Sequence, residues 1–309
     1  MLKMKTSLIF CVVAATLITS CSETSQPDQE RSKLKVLATT GMIADLAKNI
    51  AGDSAEVIAM MGPGVDPHLY KATQGDLSKM RSADIILYNG LHLEGKMGEV
   101  LEKLARSKSV MAISDDLERD VLLEDSVFQG NYDPHIWFDV ALWSQCIPNV
   151  LKTLIEKDSA NANYYTKNAE RYKERLDSLN SAVENKIGSI PNGKRILITA
   201  HDAFSYFGRA YGIDVRGLQG ISTVSEFGLR DRVDLIDFIV DRQVNAIFVE
   251  TSVSEKNILS IVEGCKFKGH DLTIGGNLYS DAMGAEGTEQ GTYVGMVEHN
   301  VNTIVEALK

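Results

Sequence analysis

Two histidines stand in identical tripeptide frames, Asp66-Pro67-His68 and Asp133-Pro134-His135. The chain has only 6 histidines, so a frame shared by two of them points to a shared task. Proline fixes its own φ and drives the preceding residue toward extended backbone, so each frame offers its imidazole from a stiff loop. Imidazole is the commonest metal-ligating side chain. The two frames therefore read as half of a metal site.

The other half is sought at strand ends. His201 directly follows the apolar run Arg195-Ile196-Leu197-Ile198-Thr199-Ala200. Glu250 closes the run Ala246-Ile247-Phe248-Val249, and Asp281 follows a strand near Leu272 and the loop Gly276-Asn277-Leu278-Tyr279-Ser280. In open α/β sheets, ligands bind beyond the carboxyl ends of the strands. His68 and His135 from a first lobe, with His201 and Asp281 from a second, would close one four-donor site between them.

Three imidazoles and one carboxylate suit zinc or manganese, whereas calcium and magnesium prefer oxygen shells. Catalytic zinc usually has three protein ligands and an open position, so four donors favour carriage over catalysis. Glu250 could be a fifth donor, a group supporting a ligand from behind, or a plain strand-end carboxylate; the supporting role is preferred. Taken alone, His201 could sit at a helix start capped by Asp202, and Asp281 could open a helix. His92, His270 and His299 lack a matching frame and read as structural or surface residues.

Positioning these groups requires an α/β fold. Apolar runs at 34–38, 56–61, 84–88 and 109–113 alternate with helical patterns at 42–51, 75–81 and 95–106, which implies a parallel sheet flanked by helices. From Asp158 to Gly188, Tyr165, Ala169, Tyr172, Leu176, Leu179 and Val183 recur at steps of three and four. That spacing predicts one amphipathic helix of about 30 residues, a rigid connector, capped by Asp158 or Ser159 and stopped by Gly188 and Pro191. A second α/β lobe follows, with strands at 195–200, 213–218, 246–250 and 272–275 and helices at 228–242 and 254–264. The expected organisation is residues 1–20 as a signal peptide, 21–33 as a tether, 34–157 and 191–309 as lobes, and 158–190 as the connecting helix.

Lys3 and Lys5 precede a mostly apolar stretch from Ser7 to Leu17, too short to span a membrane. Leu17-Ile18-Thr19-Ser20-Cys21 has the form of a bacterial lipobox, so Cys21 is the expected lipidation site, and the polar run to Lys33 fits a flexible tether. With Cys11 in the signal and Cys21 the lipidation site, only Cys146 and Cys265 remain as structural thiols, too few for a disulfide framework or a four-cysteine zinc site, and whether they pair is open. The formal charge is −10, and losing Lys3 and Lys5 with the signal makes it −12. Without a basic patch, nucleic acid is a poor partner.

The chain resembles the manganese/zinc-binding solute-binding lipoproteins of bacterial ABC transporters, from about Leu34 to Lys309. The motifs are Gly62-Pro63-Gly64-Val65-Asp66-Pro67-His68, Asn89-Gly90-Leu91-His92-Leu93-Glu94, Asp133-Pro134-His135-Ile136-Trp137, Thr199-Ala200-His201-Asp202-Ala203-Phe204 and Gln219-Gly220-Ile221-Ser222-Thr223, with the acidic Asp281. The resemblance implies two α/β lobes joined by a long helix, with limited lobe motion. It also implies His68, His135, His201 and Asp281 as ligands of one Zn2+ or Mn2+ per chain, the transported cargo. A membrane permease is the implied partner, the location periplasm or cell surface, and the chain a monomer. The zinc-uptake branch usually carries a histidine- and acid-rich loop before the second ligand. Residues 117–132 hold acids but no histidine, which leaves zinc or manganese open. Two other functions fit an anchored metal site: a metallohydrolase with Glu250 as base, and a surface adhesin whose metal is structural.

Overall fold

The computed structural model describes residues 33–125, 130–224 and 228–309; the signal peptide, Cys21 and the tether up to residue 32 lie outside the described residues. Four short strands build the first sheet: β1 (Leu34–Ala38), β2 (Ala55–Ala59), β3 (Ile85–Tyr88) and β4 (Ser109–Ala112). They run parallel in the order β2-β1-β3-β4. Three helices make the crossovers: α1 (Gly41–Ala51), α2 (Gln74–Ser82) and α3 (Gly98–Ala105). In α1, Met42, Ile43, Leu46, Ala47 and Ile50 fall on one buried face. A reciprocal cap between Thr73 and Asp76 starts α2. α3 begins three residues later than its sequence pattern predicts: residues 91–97 form consecutive turns, which open on Leu91 and His92 at φ of 53° and 64°.

Helices α4 (Val140–Ser144) and α5 (Ile147–Lys157) lead into α6 (Ala162–Gly188). At 27 residues α6 is about 40 Å long, and all six apolar positions read from its periodicity are buried. Its start differs from the expectation: Asp158 has φ −140° and ψ 70°, outside the helical range, and residues 159–161 form a separate turn. Rather than capping α6, the Asp158 carboxylate accepts from Asn161 Nδ2 at 2.6 Å and from the Tyr165 hydroxyl at 2.8 Å.

The second lobe contains β5 (Ile196–His201), α7 (Ser205–Tyr211), β6 (Asp214–Gln219), α8 (Leu229–Arg242), β7 (Ala246–Glu250), α9 (Lys256–Phe267), β8 (Thr273–Leu278) and α10 (Tyr293–Leu308). β5 pairs in parallel with β6 and β7 with β8, and β5 lies alongside β7. α10 has no counterpart among the expected elements. It settles on β8 where Gly275 leaves room: a Cβ there would stand 2.8 Å from both Ala307 and the Phe248 ring.

α6 packs against α1, α4 and α5 from the first lobe and against α7 and α10 from the second. The largest apolar core is correspondingly continuous, running from Val36 and Leu46 through Tyr172 and Leu176 to Phe204, Val301 and Ile304. Lys33–Lys309 therefore pack as one compact unit. Cys146 belongs to this core and Cys265 to a second one beneath α8 and α9, and both are free thiols.

Candidate metal centre

Each Asp-Pro-His frame is locked by its own aspartate. Asp66 Oδ1 accepts from the His68 backbone N–H at 2.8 Å, and Asp133 Oδ1 accepts from that of His135 at 2.9 Å. The carboxylate thus reaches over a proline that has no N–H to offer and catches the histidine two residues on. In the second frame, Asp133 Oδ1 also lies 2.7 Å from His135 Nδ1, which turns Nε2 inward. In the first, Asp66 Oδ2 accepts from the Thr223 hydroxyl at 2.6 Å, a bond from the opposite lobe.

His201 is the last residue of β5 rather than the residue after it. Glu250, the last residue of β7, accepts from its backbone N–H through Oε1 at 2.8 Å and lies 2.5 Å from its Nδ1 through Oε2. Asp202 does not cap α7 but accepts from the Ser205 hydroxyl. Asp281 follows β8 after a short connection.

These elements bring His68, His135, His201 and Asp281 together, with one donor atom from each all within 4.8 Å of one another. None is more than 4 % exposed. The Nε2 atoms of His68 and His135 are 3.3 Å apart, and Asp281 places Oδ1 3.4 Å from His135 and Oδ2 3.3 Å from His201 and 3.8 Å from His68. The His68–His135 contact meets hydrogen-bond geometry, but those to Asp281 do not: His201 Nε2 and both Asp281 oxygens are buried without a hydrogen-bond partner. Buried polar atoms are rarely left so, and a cation at the centre would engage all three. The donor set fits a divalent transition metal, and the four residues could hold one ion. Glu250 stands behind His201 and away from the centre. His92 is exposed, His270 pairs with the Val244 carbonyl and His299 with that of Asn277.

The charges are arranged for a cation. Burial depresses His68 to about 3, with a smaller contribution from His135 and His201, and nearby Asp281 only partly offsets this. Burial also pulls His135 down, but Asp133 and Asp281 outweigh it and lift the ring to about 9. His201 is likewise raised well above its usual range, Glu250 and Asp281 overcoming burial. Burial pushes Asp281 up, yet the facing His201 and His135 hold it well below the usual carboxylate range.

Two α/β lobes joined by one long helix, with a buried His3Asp cluster between them, define a class of two-lobed binding protein. The family described as "Zinc-uptake complex component A periplasmic" matches residues 36–307, and the chain belongs to that family. It is 48% identical over 308 residues to the manganese-binding lipoprotein MntA of Bacillus subtilis (strain 168), covering 99% of this chain and 100% of that protein. It is 46% identical over 300 residues to the zinc-binding protein TroA of Treponema pallidum (strain Nichols), covering 96% and 97% of the two. The solved structure of the periplasmic zinc-binding protein TroA from Treponema pallidum superposes with a TM-score of 0.87 at 48% identity, over 89% of this chain and 99% of that one. No described helix is long and apolar enough to cross a membrane.

Proposed function

We propose that this chain captures one Zn2+ or Mn2+ per molecule through His68, His135, His201 and Asp281 and hands it to an ABC-transporter permease. The observation that carries this is the buried Asp281 carboxylate, surrounded by three imidazoles with neither oxygen hydrogen-bonded. The relatives support the same reading, one named for manganese and another for zinc. The chain carries metal and does not transform a substrate. It acts as a monomer outside the cytoplasmic membrane, held there by lipid on Cys21. The sheet between 34 and 112 and the sheets between 196 and 278 act as two walls, with α6 holding their separation.

Elemental analysis of metal-loaded protein is the test. One zinc or manganese per chain is expected, and His68→Ala combined with His135→Ala should abolish that stoichiometry. Unchanged metal content in the double variant rejects the ligand assignment. Loss of metal uptake by cells lacking the chain, restored by the wild-type chain but not by the double variant, tests delivery. Palmitate labelling lost in Cys21→Ala tests the anchor.

A further inference from the structure

One buried side chain connects two of the four donors. Trp137 is 1 % exposed and lies two residues after His135, in a tight turn formed by Ile136–Phe138. Its indole meets the His135 ring edge to face, with centroids 5.2 Å apart. Its Nε1–H donates at 3.0 Å to the carbonyl of Ser280, the residue directly before Asp281. The carbonyl of Trp137 accepts from the Tyr293 hydroxyl at 2.7 Å, at the start of α10. The Ser280 side chain is held separately, by Ser252 Oγ at 2.8 Å. The peptide that carries Asp281 is therefore pinned from the first lobe by the indole, while the Asp281 oxygens have no hydrogen bonds of their own to fix them.

We propose that Trp137 is a positioning residue that sets the pose of Asp281 and, through it, the balance between zinc and manganese; this rests on reading the His3Asp cluster as the metal site. A tetrahedral set with bonds of about 2.0–2.1 Å has donor separations of about 3.3–3.4 Å. The His68–His135 gap lies at that spacing; Asp281 meets it through Oδ1 toward His135 but through Oδ2 toward His201, and its Oδ2 is farther from His68, at 3.8 Å. The carboxylate straddles the centre, with Oδ1 toward His135 and Oδ2 toward His201. A small turn of it decides whether one oxygen or both reach a metal. One oxygen completes the four-coordinate geometry usual for zinc, and two oxygens approach the higher coordination that suits manganese. The hydrogen bond to Ser280 is placed to restrict that turn.

The experiment is a chelator-competition titration of zinc and of manganese on the purified chain and three variants. Trp137→Phe keeps an aromatic ring but removes the N–H; its zinc affinity should fall about tenfold, the range for ligand-orienting partners, with manganese affected less. Tyr293→Phe removes only the hydroxyl that braces the Trp137 carbonyl, and should shift the zinc-to-manganese ratio the same way by less. Phe138→Leu trims the same aromatic cluster without touching either bond; it should lower thermal stability and leave the ratio alone. A ratio unchanged in both Trp137→Phe and Tyr293→Phe, or moved equally by Phe138→Leu, overturns the assignment. Should Trp137→Phe not fold, Tyr293→Phe decides alone. A wild-type chain that binds neither metal overturns the site itself, a result distinct from tight binding that Trp137→Phe leaves unaltered.

Discussion

Glu250 holds His201 at two points, its backbone N–H through Oε1 and its imidazole Nδ1 through Oε2, at 2.8 and 2.5 Å. The grip fixes which ring nitrogen faces the centre and makes that nitrogen more basic. Partners of this kind typically contribute 10–100-fold to metal affinity, so Glu250→Gln is expected to weaken zinc binding by about that range. An amide at this position can still bond His201 N–H, so the fold should survive. Chelator competition measures the affinity, and thermal unfolding of the metal-free protein checks that the loss is local. Equal affinity in Glu250→Gln would make Glu250 a plain strand-end residue.

Much of this site was legible in the sequence because its residues lie where short-range rules apply. The repeated tripeptide singled out His68 and His135, and strand ends singled out His201, Glu250 and Asp281. Parallel strands followed from the alternation of apolar runs and helical patterns. What stayed hidden depends on partners far apart in sequence. Nothing local in Thr223 says that it reaches Asp66, and nothing in Trp137 says that its indole meets Ser280 across 143 positions. The frame aspartates are hidden differently: proline stiffens each frame, yet it is the carboxylates that close each loop. α10 could have been found, since Tyr293, Met296, Val297, Asn300, Val301 and Ile304 are helically spaced and buried.

The Thr223–Asp66 bond makes a separate prediction about release. It joins the lobes beside His68, the ring whose frame is held from across the cleft. A single hydrogen bond contributes about 1 kcal/mol net, roughly a fivefold change in a rate or equilibrium. Thr223→Val keeps the shape and removes the donor, so metal should dissociate about fivefold faster, as 1 kcal/mol implies. Stopped-flow transfer to excess chelator reads this directly. An unchanged release rate would show that the bond does not restrain the His68 frame.

Protons compete with the metal. Carboxylate partners overcome burial to raise His135 to about 9, so at pH 7 the metal-free centre holds a proton on that ring, and they raise His201 in the same direction. His68 is depressed to about 3 by burial and offers a free nitrogen throughout. Binding must therefore expel protons, and affinity should rise with pH until about 9, by about tenfold per unit for each proton displaced. Calorimetry in buffers of different ionisation enthalpy counts those protons. Affinity independent of pH between 6 and 8 would contradict the charge arrangement.

The two thiols supply a test of the core. An exported protein is free to form a disulfide, yet Cys146 sits in the core that includes α6 and Cys265 in the one beneath α8 and α9. Burial pushes both thiols up, so neither offers a nucleophilic thiolate near neutral pH. Ellman's reagent should therefore leave Cys146 and Cys265 almost unreacted in the native protein and label both after denaturation, with reductant leaving the melting temperature unchanged. Rapid labelling of Cys265 in the native state would mean that α9 opens locally at little cost. Because α9 packs on β7, whose end carries Glu250, such opening should accelerate further in Glu250→Gln if the grip on His201 also ties β7 to β5.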